Sequence, residues 1–169
     1  ISIGIPCFNE SQNILHLLES IKHQKIEEGC QISEVIISDD SSDNTVTLIR
    51  RHFKENNPPY ALNVFHHDER QGEASALNEI MIAAKGDFLV FYEADTIPAI
   101  NTTSELVAPL LRDDNVGITL ANPLPVSSRG ITSKAWTYLA RFLHMVRKSD
   151  GITRLGVTGR GVALRGSIM

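Results

Sequence analysis

The sequence predicts an α/β fold, with a mostly parallel sheet and helices on both of its faces. Through the first 95 residues, segments of strand length alternate with segments of helical periodicity, which is typical of parallel sheets with right-handed crossovers. One strand, Phe88–Tyr92, is entirely apolar or aromatic, as a strand covered on both faces should be. The length of 169 residues and the hydrophobic fraction of 42% suit a single domain, residues 1–169, with a sizeable core.

The first two strands are each followed by a helix. Residues 1–5 alternate like a strand and stop at Pro6, which cannot donate to a ladder. Residues 9–11 (NES) offer capping side chains before a helix over about 14–23, whose apolar positions follow i, i+3, i+4, i+7 spacing. A second strand, 34–38, runs into capping residue types, 39–44, which predict a second helix ending near 56–59. For Ser11 and Asp43 we expect capping roles.

The third strand, 61–65, precedes a helix that carries Leu77, Ile80, Met81 and Ala84. Residues 85–87 (KGD) predict its end, with Gly86 in the left-handed cap conformation. After the buried strand we expect a helix over about 102–111, a strand over 116–121, an amphipathic helix over 133–148, a Gly-rich loop over 155–161 and a strand over 162–164.

Acidic residues follow three of the predicted strands: Glu10 the first, Asp39 and Asp40 the second, Glu93 and Asp95 the fourth. In a parallel sheet these strand ends share one edge, where ligands bind. Any single acid could instead be a solvated helix cap. Together on buried strands, they need a metal, a protonated member or ligand donors such as the N–H of a base.

Several classes of protein are excluded by motifs that the chain lacks. It has no GxGxxG after the first strand and no GxxxxGK[ST], HExxH or GxSxG. The spacing of His66 and His67 matches no standard metal site. Cys7 and Cys30 form no CxxC pair, so the sequence predicts a reducing compartment rather than a disulfide scaffold or zinc site.

Charge is distributed unevenly along the chain. Residues 1–128 hold 8 Lys or Arg and 19 Asp or Glu, whereas residues 129–169 hold 8 Lys or Arg and one acid, Asp150. This split indicates either an anionic ligand or surface facing the later segment, or a solvated basic face. No apolar run approaches the roughly 18–20 residues that span a bilayer, and no signal peptide is visible. Because the first residue is Ile1 rather than Met, we expect a piece of a longer or processed protein.

Four motifs resemble, in order and spacing, the signatures of family 2 glycosyltransferases: PCFNE (6–10), IISDDSSD (36–43), RQGEASALN (70–78) and FYEAD (91–95). The resemblance implies a Rossmann-like GT-A fold, that of the nucleotide-diphospho-sugar transferases, and an inverting, metal-dependent sugar transfer from a UDP-, GDP- or dTDP-linked donor. Residues 1–121 would bind the nucleotide sugar, and residues 122–169 would begin the acceptor-side part.

The resemblance also implies roles for individual residues. Six residues are expected to bind the nucleotide sugar. Pro6, Phe8 and Glu10 would line the base and ribose pocket, and Asp40 would accept a hydrogen bond from a base N–H. Arg70 would lie near the base or phosphates, and Ala94 would lie against the ribose. Asp39 would support the loop. Asp95 and Glu93 would form the DxD motif that holds Mg²⁺ or Mn²⁺, which neutralises the leaving diphosphate.

The chain departs from the family pattern at three points. Glu93 replaces the usual Asp of DxD, and Glu73 replaces a Lys that many members have. TGRGVALR (158–165) resembles the acceptor-side loop and strand, but no residue matches the family's catalytic Asp, so the general base is unknown and expected beyond Met169.

The expected acceptor is a polysaccharide, another glycan or a lipid phosphate, as in envelope or polysaccharide synthesis, and no nucleic-acid partner is expected. The helix around Trp136 and its basic neighbours suits either core packing or a membrane interface. We therefore predict a cytoplasmic protein, with peripheral contact at the cytoplasmic face of a membrane as one alternative. Two other functions stay open: a non-catalytic nucleotide-sugar-binding protein, which turnover assays would separate from an enzyme, and a receiver-like signalling domain, which would need its acid pair after the first strand.

Overall fold

The computed structural model describes residues 1–121 and 161–168, which contain six strands and four α-helices. In chain order they are β1 (Ser2–Cys7), α1 (Ile14–Lys22), β2 (Glu34–Asp39), α2 (Thr45–Asn56), β3 (Ala61–His66), α3 (Glu73–Ala83), β4 (Phe88–Phe91), α4 (Thr102–Arg112), β5 (Ile118–Leu120) and β6 (Val162–Arg165). A 3₁₀ turn, Gly166–Ile168, follows β6. These elements match the predicted order, with boundaries shifted by one or two residues.

The six strands form one sheet in the order β3-β2-β1-β4-β6-β5. The pairs β1–β2, β1–β4 and β2–β3 are parallel, whereas β6 is antiparallel to both β4 and β5. The predicted mostly parallel sheet is thus confirmed. Because β1, β2 and β4 run in the same direction, their carboxyl ends lie at one edge of the sheet.

Helices cover both faces of the sheet, as predicted. On one face, buried residues of β1, β2 and β4 pack with those of α1, α2 and α4, among them Ile5, Val35, Leu17 and Val107. On the other face, Ile36, Leu89 and Phe91 pack against Ile80 of α3. Burial of β2 and β4 on both sides explains their continuous apolar sequences.

Two local predictions were wrong. Gly86 does not adopt a positive φ; instead, a Cβ there would lie 2.6 Å from the backbone nitrogen of Ser2, so glycine is needed for close approach rather than for a cap. Residues 9–11 do not cap α1, whose N-cap is Asn13 and has no side-chain capping bond. Their polar groups bind the loop after β2 instead.

The predicted single domain over residues 1–169 stays a prediction. Residues 1–121 and 161–168 belong to one compact unit. The predicted helix over 133–148 and most of the Gly-rich loop over 155–161 lie outside the described residues. Within the described part, no helix has both the length and the hydrophobicity that crossing a bilayer requires.

Candidate functional site

A cavity of about 310 Å³ opens at the sheet edge where β1, β2 and β4 end. Its lining includes all eight residues that the sequence singled out: Pro6, Phe8, Glu10, Asp40, Arg70, Glu93, Ala94 and Asp95. Cys7, Gly72, Glu73 and Ala76 complete it among the described residues. Residues far apart in sequence therefore meet at one site, although their roles in binding stay predictions.

The loop after β1 is tied to the loop after β2. Asn9 has a φ of 56° and donates its backbone N–H to Ser41 Oγ at 2.7 Å, while its side-chain oxygen accepts from the Ser42 N–H at 3.0 Å. The Glu10 N–H donates to Thr45 Oγ1 at 3.0 Å. These bonds fix the backbone of residues 8–10, which line one side of the cavity.

Asp43 also connects the two loops, at the start of α2. Its carboxylate accepts from the Thr45 N–H at 3.0 Å and from the Ser11 N–H at 3.3 Å. Although partial desolvation raises it, these hydrogen bonds leave the pKa of Asp43 below its ordinary value. Asp43 therefore caps the first turn of α2 and holds the neighbouring loop.

Asp39 is fully buried, and its carboxylate is satisfied by its own loop and by the end of β3. It accepts from the Ser41 N–H at 3.1 Å, from Ser41 Oγ at 2.6 Å and from His66 Nδ1 at 2.8 Å. Asp39 is also absent from the cavity lining among the described residues. This geometry suits the loop-supporting role expected for it.

Asp40 is almost buried and borders the cavity, with 6% of its side chain exposed. One oxygen, Oδ2, accepts from the backbone N–H groups of Gln71 at 2.8 Å and Gly72 at 2.9 Å; the other, Oδ1, lies 3.1 Å from His67 Nδ1. Burial opposes ionisation, but the hydrogen bonds from Gly72, Gln71 and His67 lower the pKa of Asp40. Asp40 is thus an ionised acceptor near neutral pH.

Sequence reasoning missed the role of His66 and His67. His66 is the last residue of β3 as Asp39 is the last residue of β2, and the parallel register pairs the two. Each histidine contacts one acid of the pair, and His67 Nε2 also lies 3.3 Å from Glu79 Oε1. The signal that could have revealed these contacts was a pair of acids at the end of one predicted strand and a pair of histidines at the end of the next.

Phe8 and Arg70 lie together at the cavity. The guanidinium carbon of Arg70 is 4.2 Å from the centre of the Phe8 ring, and 40% of Phe8 is exposed. This distance allows a cation–π interaction. An aromatic face and a planar cation therefore border the same opening.

The segment after β4 is anchored behind the cavity. Tyr92 is buried and its hydroxyl lies 3.0 Å from Thr103 Oγ1, which donates to the side-chain oxygen of Gln24 at 2.8 Å. Ala94 is buried, Glu93 is half-buried and Asp95 is exposed. The anchor leaves these two acids at the edge of the sheet.

The described lining carries five carboxylates, from Glu10, Asp40, Glu73, Glu93 and Asp95, and one cationic side chain, that of Arg70. Cys7 adds no charge, because burial and the nearby charges of Asp39 and Glu10 raise the pKa of its thiol. Oxygen ligands of this kind suit a hard divalent ion.

No group of three or more His, Cys, Asp or Glu side chains is arranged to hold a metal in the described ranges. An ion held by Glu93 and Asp95, as the sequence predicts, would take its other ligands from a bound molecule or from water, which is how Mg²⁺ commonly binds. Their hard oxygen donors, at an edge rich in negative charge, fit such an ion.

Arg165, in the segment that resembles an acceptor-side strand, has a structural role. Its guanidinium donates to the carbonyl oxygens of Leu110 and Asp113 and lies 3.2 Å from Asp114 Oδ1. It thereby binds the carboxyl end of α4. Residues 158–160 of that motif lie outside the described ranges.

The model of the family described as "Glycosyl transferase family 2" matches residues 2–165. A poly-beta-1,6-N-acetyl-D-glucosamine synthase of Staphylococcus aureus is 31% identical over 163 residues, which cover 96% of this chain and 38% of that protein. The chain thus spans well under half the length of this relative.

Solved structures share the fold. A mannosyltransferase from Pyrobaculum calidifontis, in complex with GDP-Man and Mn²⁺, matches with a TM-score of 0.70 and 25% identity, over 97% of this chain and 44% of that one. Glucosyl-3-phosphoglycerate synthase from Mycobacterium tuberculosis, in complex with Mn²⁺, UDP and phosphoglyceric acid, matches with a TM-score of 0.64 and 23% identity, over 99% and 56%. The expected GT-A fold is therefore confirmed.

Proposed function

The chain belongs to glycosyl transferase family 2, and we propose that it binds a nucleotide-diphosphate sugar with a divalent metal and transfers the sugar, with inversion, to an acceptor. The observation that carries this proposal is the shared cavity of the eight predicted residues at the carboxyl ends of β1, β2 and β4. Ligands of open α/β sheets bind at this edge.

We assign the nucleotide to the side of the cavity formed by the ends of β1 and β2. Phe8 supplies an aromatic face for a base, and Asp40 supplies an ionised acceptor for a base N–H. Pro6 and Glu10 lie on the same loop, whose backbone is tied to the β2 loop, so the base and ribose meet a pre-formed wall. Pre-formed walls reduce the entropy cost of binding.

The diphosphate is assigned to the side formed by Ala94, Asp95 and Glu93, with Arg70 nearby. A divalent cation bound between the diphosphate and the carboxylates of this cavity would reduce the repulsion between them. Mg²⁺ or Mn²⁺ held by Asp95 and Glu93 would neutralise the charge that develops on the diphosphate as it leaves. Mn²⁺ in the two structural neighbours supports this choice.

Transfer with inversion is a single displacement, in which the acceptor oxygen forms a bond to the sugar as the bond to the diphosphate breaks. The acceptor hydroxyl must lose its proton to a base. We assign that role to no described residue, since none matches the catalytic Asp of the family pattern. The acceptor we propose is a glycan or a lipid phosphate, reached from the cytoplasm.

Nucleotide titration with and without metal tests the donor site. We expect UDP, dTDP or GDP to bind at least about tenfold more tightly with Mn²⁺ than with EDTA, and Asp95→Asn to abolish the difference. Asp87→Asn is the matched control, because exposed Asp87 precedes β4 at the opposite edge of the sheet. Equal binding in EDTA, unchanged in Asp95→Asn, would refute the metal assignment.

Turnover of the complete gene product separates the enzyme from a non-catalytic sugar-nucleotide-binding protein. Glu93 and Glu73 are the residues that give this alternative weight, since both depart from the family pattern. We expect Glu93→Asp, which restores the usual acid, to retain or raise metal-dependent binding. A complete protein that binds nucleotide and metal but releases no sugar or nucleotide in the presence of acceptors would favour the alternative.

A further inference from the structure

The hydrogen bonds around Asp40 limit what this residue can recognise. A carboxylate offers about four acceptor positions, two on each oxygen. Both positions on Oδ2 are filled, by the Gln71 and Gly72 N–H groups at 2.8 and 2.9 Å. Oδ1 accepts from His67 Nδ1 at 3.1 Å, and the Asp40 carboxylate accepts no other hydrogen bond in the described part of the chain. One acceptor position, on Oδ1, remains for a ligand.

His67 is held in place from its other side. Its Nε2 lies 3.3 Å from Glu79 Oε1, and Glu79 Oε2 accepts from Ser38 Oγ at 2.7 Å. Since Glu79 belongs to α3 and Ser38 to β2, the imidazole is fixed between two elements of the scaffold. The ring cannot turn away from Asp40 without losing its contact with Glu79.

The backbone donors are equally fixed. Gly72 has a φ of 89° and is the N-cap of α3, so the loop reaches Asp40 in a conformation that glycine favours. Donors of the protein itself therefore occupy all but one of the acceptor positions of the Asp40 carboxylate before a ligand binds. Its exposed fraction of 6% leaves room for a single close partner.

The nucleobases differ in what they offer to such an acceptor. Uracil and thymine present one ring N–H, at N3, flanked by two carbonyl groups. Guanine presents its ring N–H beside an exocyclic amino group, and this pair of donors needs two acceptors. Cytosine and adenine present an exocyclic amino donor, but the ring nitrogen beside it carries a lone pair that repels a carboxylate. The neighbours' ligands include both GDP-Man and UDP, so they do not decide the base.

We propose that His67, with the backbone N–H groups of Gln71 and Gly72, leaves Asp40 a single acceptor position and thereby selects a uracil or thymine nucleotide over guanine. This inference rests on the proposed function and specifies its donor. His67 acts as a positioning and specificity-determining residue, since it contacts Asp40 and is not among the described residues that line the cavity.

Titration of this chain with UDP, dTDP, GDP, CDP and ADP in the presence of Mn²⁺ tests the inference. We expect UDP and dTDP to bind about tenfold or more tightly than GDP, which would bury an unpaired donor, and CDP and ADP to bind more weakly still. GDP binding as tight as that of UDP would overturn the inference and leave the proposed function standing. Failure of all five to bind would overturn both.

Two histidine variants isolate the role of His67. His67→Ala frees the second position on Oδ1, so the ratio of UDP to GDP affinity should fall about three- to tenfold, a change that loss of stability alone would not produce. His67→Gln can still donate one hydrogen bond and should keep more of the ratio. His66→Ala is the matched control, because His66 contacts Asp39 instead. An unchanged ratio in His67→Ala would overturn the inference.

Glu79→Gln provides a second route if His67→Ala does not fold. It keeps the size of the side chain and weakens the hold on His67 Nε2. The ratio of UDP to GDP affinity should fall in the same direction but by less. A ratio equal to that of the unmodified chain, in a folded Glu79→Gln protein, would count against the role given to His67.

Discussion

The Arg70 guanidinium lies 4.2 Å from the centre of the Phe8 ring, which brings together the loop after β1 and the loop before α3. Phe8 is the one aromatic side chain among the described residues that line the cavity. A half-exposed aromatic ring covered by a planar cation keeps its apolar face partly out of water. The contact joins the two loops at the cavity through side chains.

We expect Phe8 and Arg70 to be energetically coupled. Exposed cation–π pairs contribute about 0.5–1 kcal/mol, so a double-mutant cycle of Phe8→Ala and Arg70→Ala should give a coupling of about that size in the free energy of unfolding. Arg70→Lys should retain less than half of it, because the ammonium cannot stack as a plane. Urea denaturation measures the cycle, with Arg51→Ala on the exposed side of α2 as the control. Strict additivity would show that the contact contributes nothing.

Glu34 should contribute to stability and not to ligand binding. It is buried at the opposite edge of the sheet, where it accepts from Ser2 Oγ at 2.7 Å, from the Lys85 N–H at 2.8 Å and from Asn63 Nδ2 at 2.9 Å. Glu34→Ala leaves three donors without their partner, so we expect a loss of about 3–5 kcal/mol in the free energy of unfolding.

Denaturant unfolding and nucleotide titration together check this prediction. Exposed Glu28→Ala serves as the control and should change stability by less than about 0.5 kcal/mol. In Glu34→Ala, nucleotide affinity should stay at the level of the unmodified chain wherever the protein remains folded. If a folded Glu34→Ala protein bound nucleotide more weakly, Glu34 would contribute to binding as well as to stability, contrary to this prediction.

Acid should destabilise the protein partly through Asp43. Its folded pKa lies below the ordinary value of 3.8, so its contribution to stability is complete above about that pH and is lost as the pH falls through the folded value. In Asp43→Asn, the free energy of unfolding should therefore fall less steeply below pH 4 than in the unmodified chain. Near neutral pH, this variant should be less stable than the unmodified chain. Unfolding midpoints in urea from pH 2.5 to 6 measure this effect.

Asp68→Asn, at an exposed position in the loop after β3, controls for the general change in net charge. Its acid limb should keep the slope of the unmodified chain. If Asp43→Asn and the unmodified chain lose stability in parallel below pH 4, the capping bonds of Asp43 do not contribute to acid sensitivity.

Much of the fold could be predicted because burial on two faces leaves a direct trace in sequence. The apolar runs of β2 and β4 and the helical spacing of Ile14, Leu17 and Ile21 gave the elements and their order. Gly86 could not be interpreted in this way, since a close approach to Ser2 and a left-handed cap both favour glycine. Only the neighbouring strand distinguishes these two causes.

The candidate site was predicted to the level of its residues, but not of its contacts. The motifs indicated Asp40 as an acceptor, yet its bonds to His67, Gln71 and Gly72 depend on the pairing of β2 with β3 and on the turn before α3. Asn9 likewise looked like a helix cap because its side chain suits that role. In the folded protein it binds Ser42, which the sheet brings beside it.

The order of strands and helices, the edge of the sheet at which the acids gather and the family of the chain could be predicted from the sequence, because periodicity and local motifs carry that information. How each acid is used depends on the tertiary structure. Hydrogen bonds from the end of β3 and from the turn before α3 hold Asp39 and leave one acceptor position on Asp40, and they join residues 27 or more positions apart.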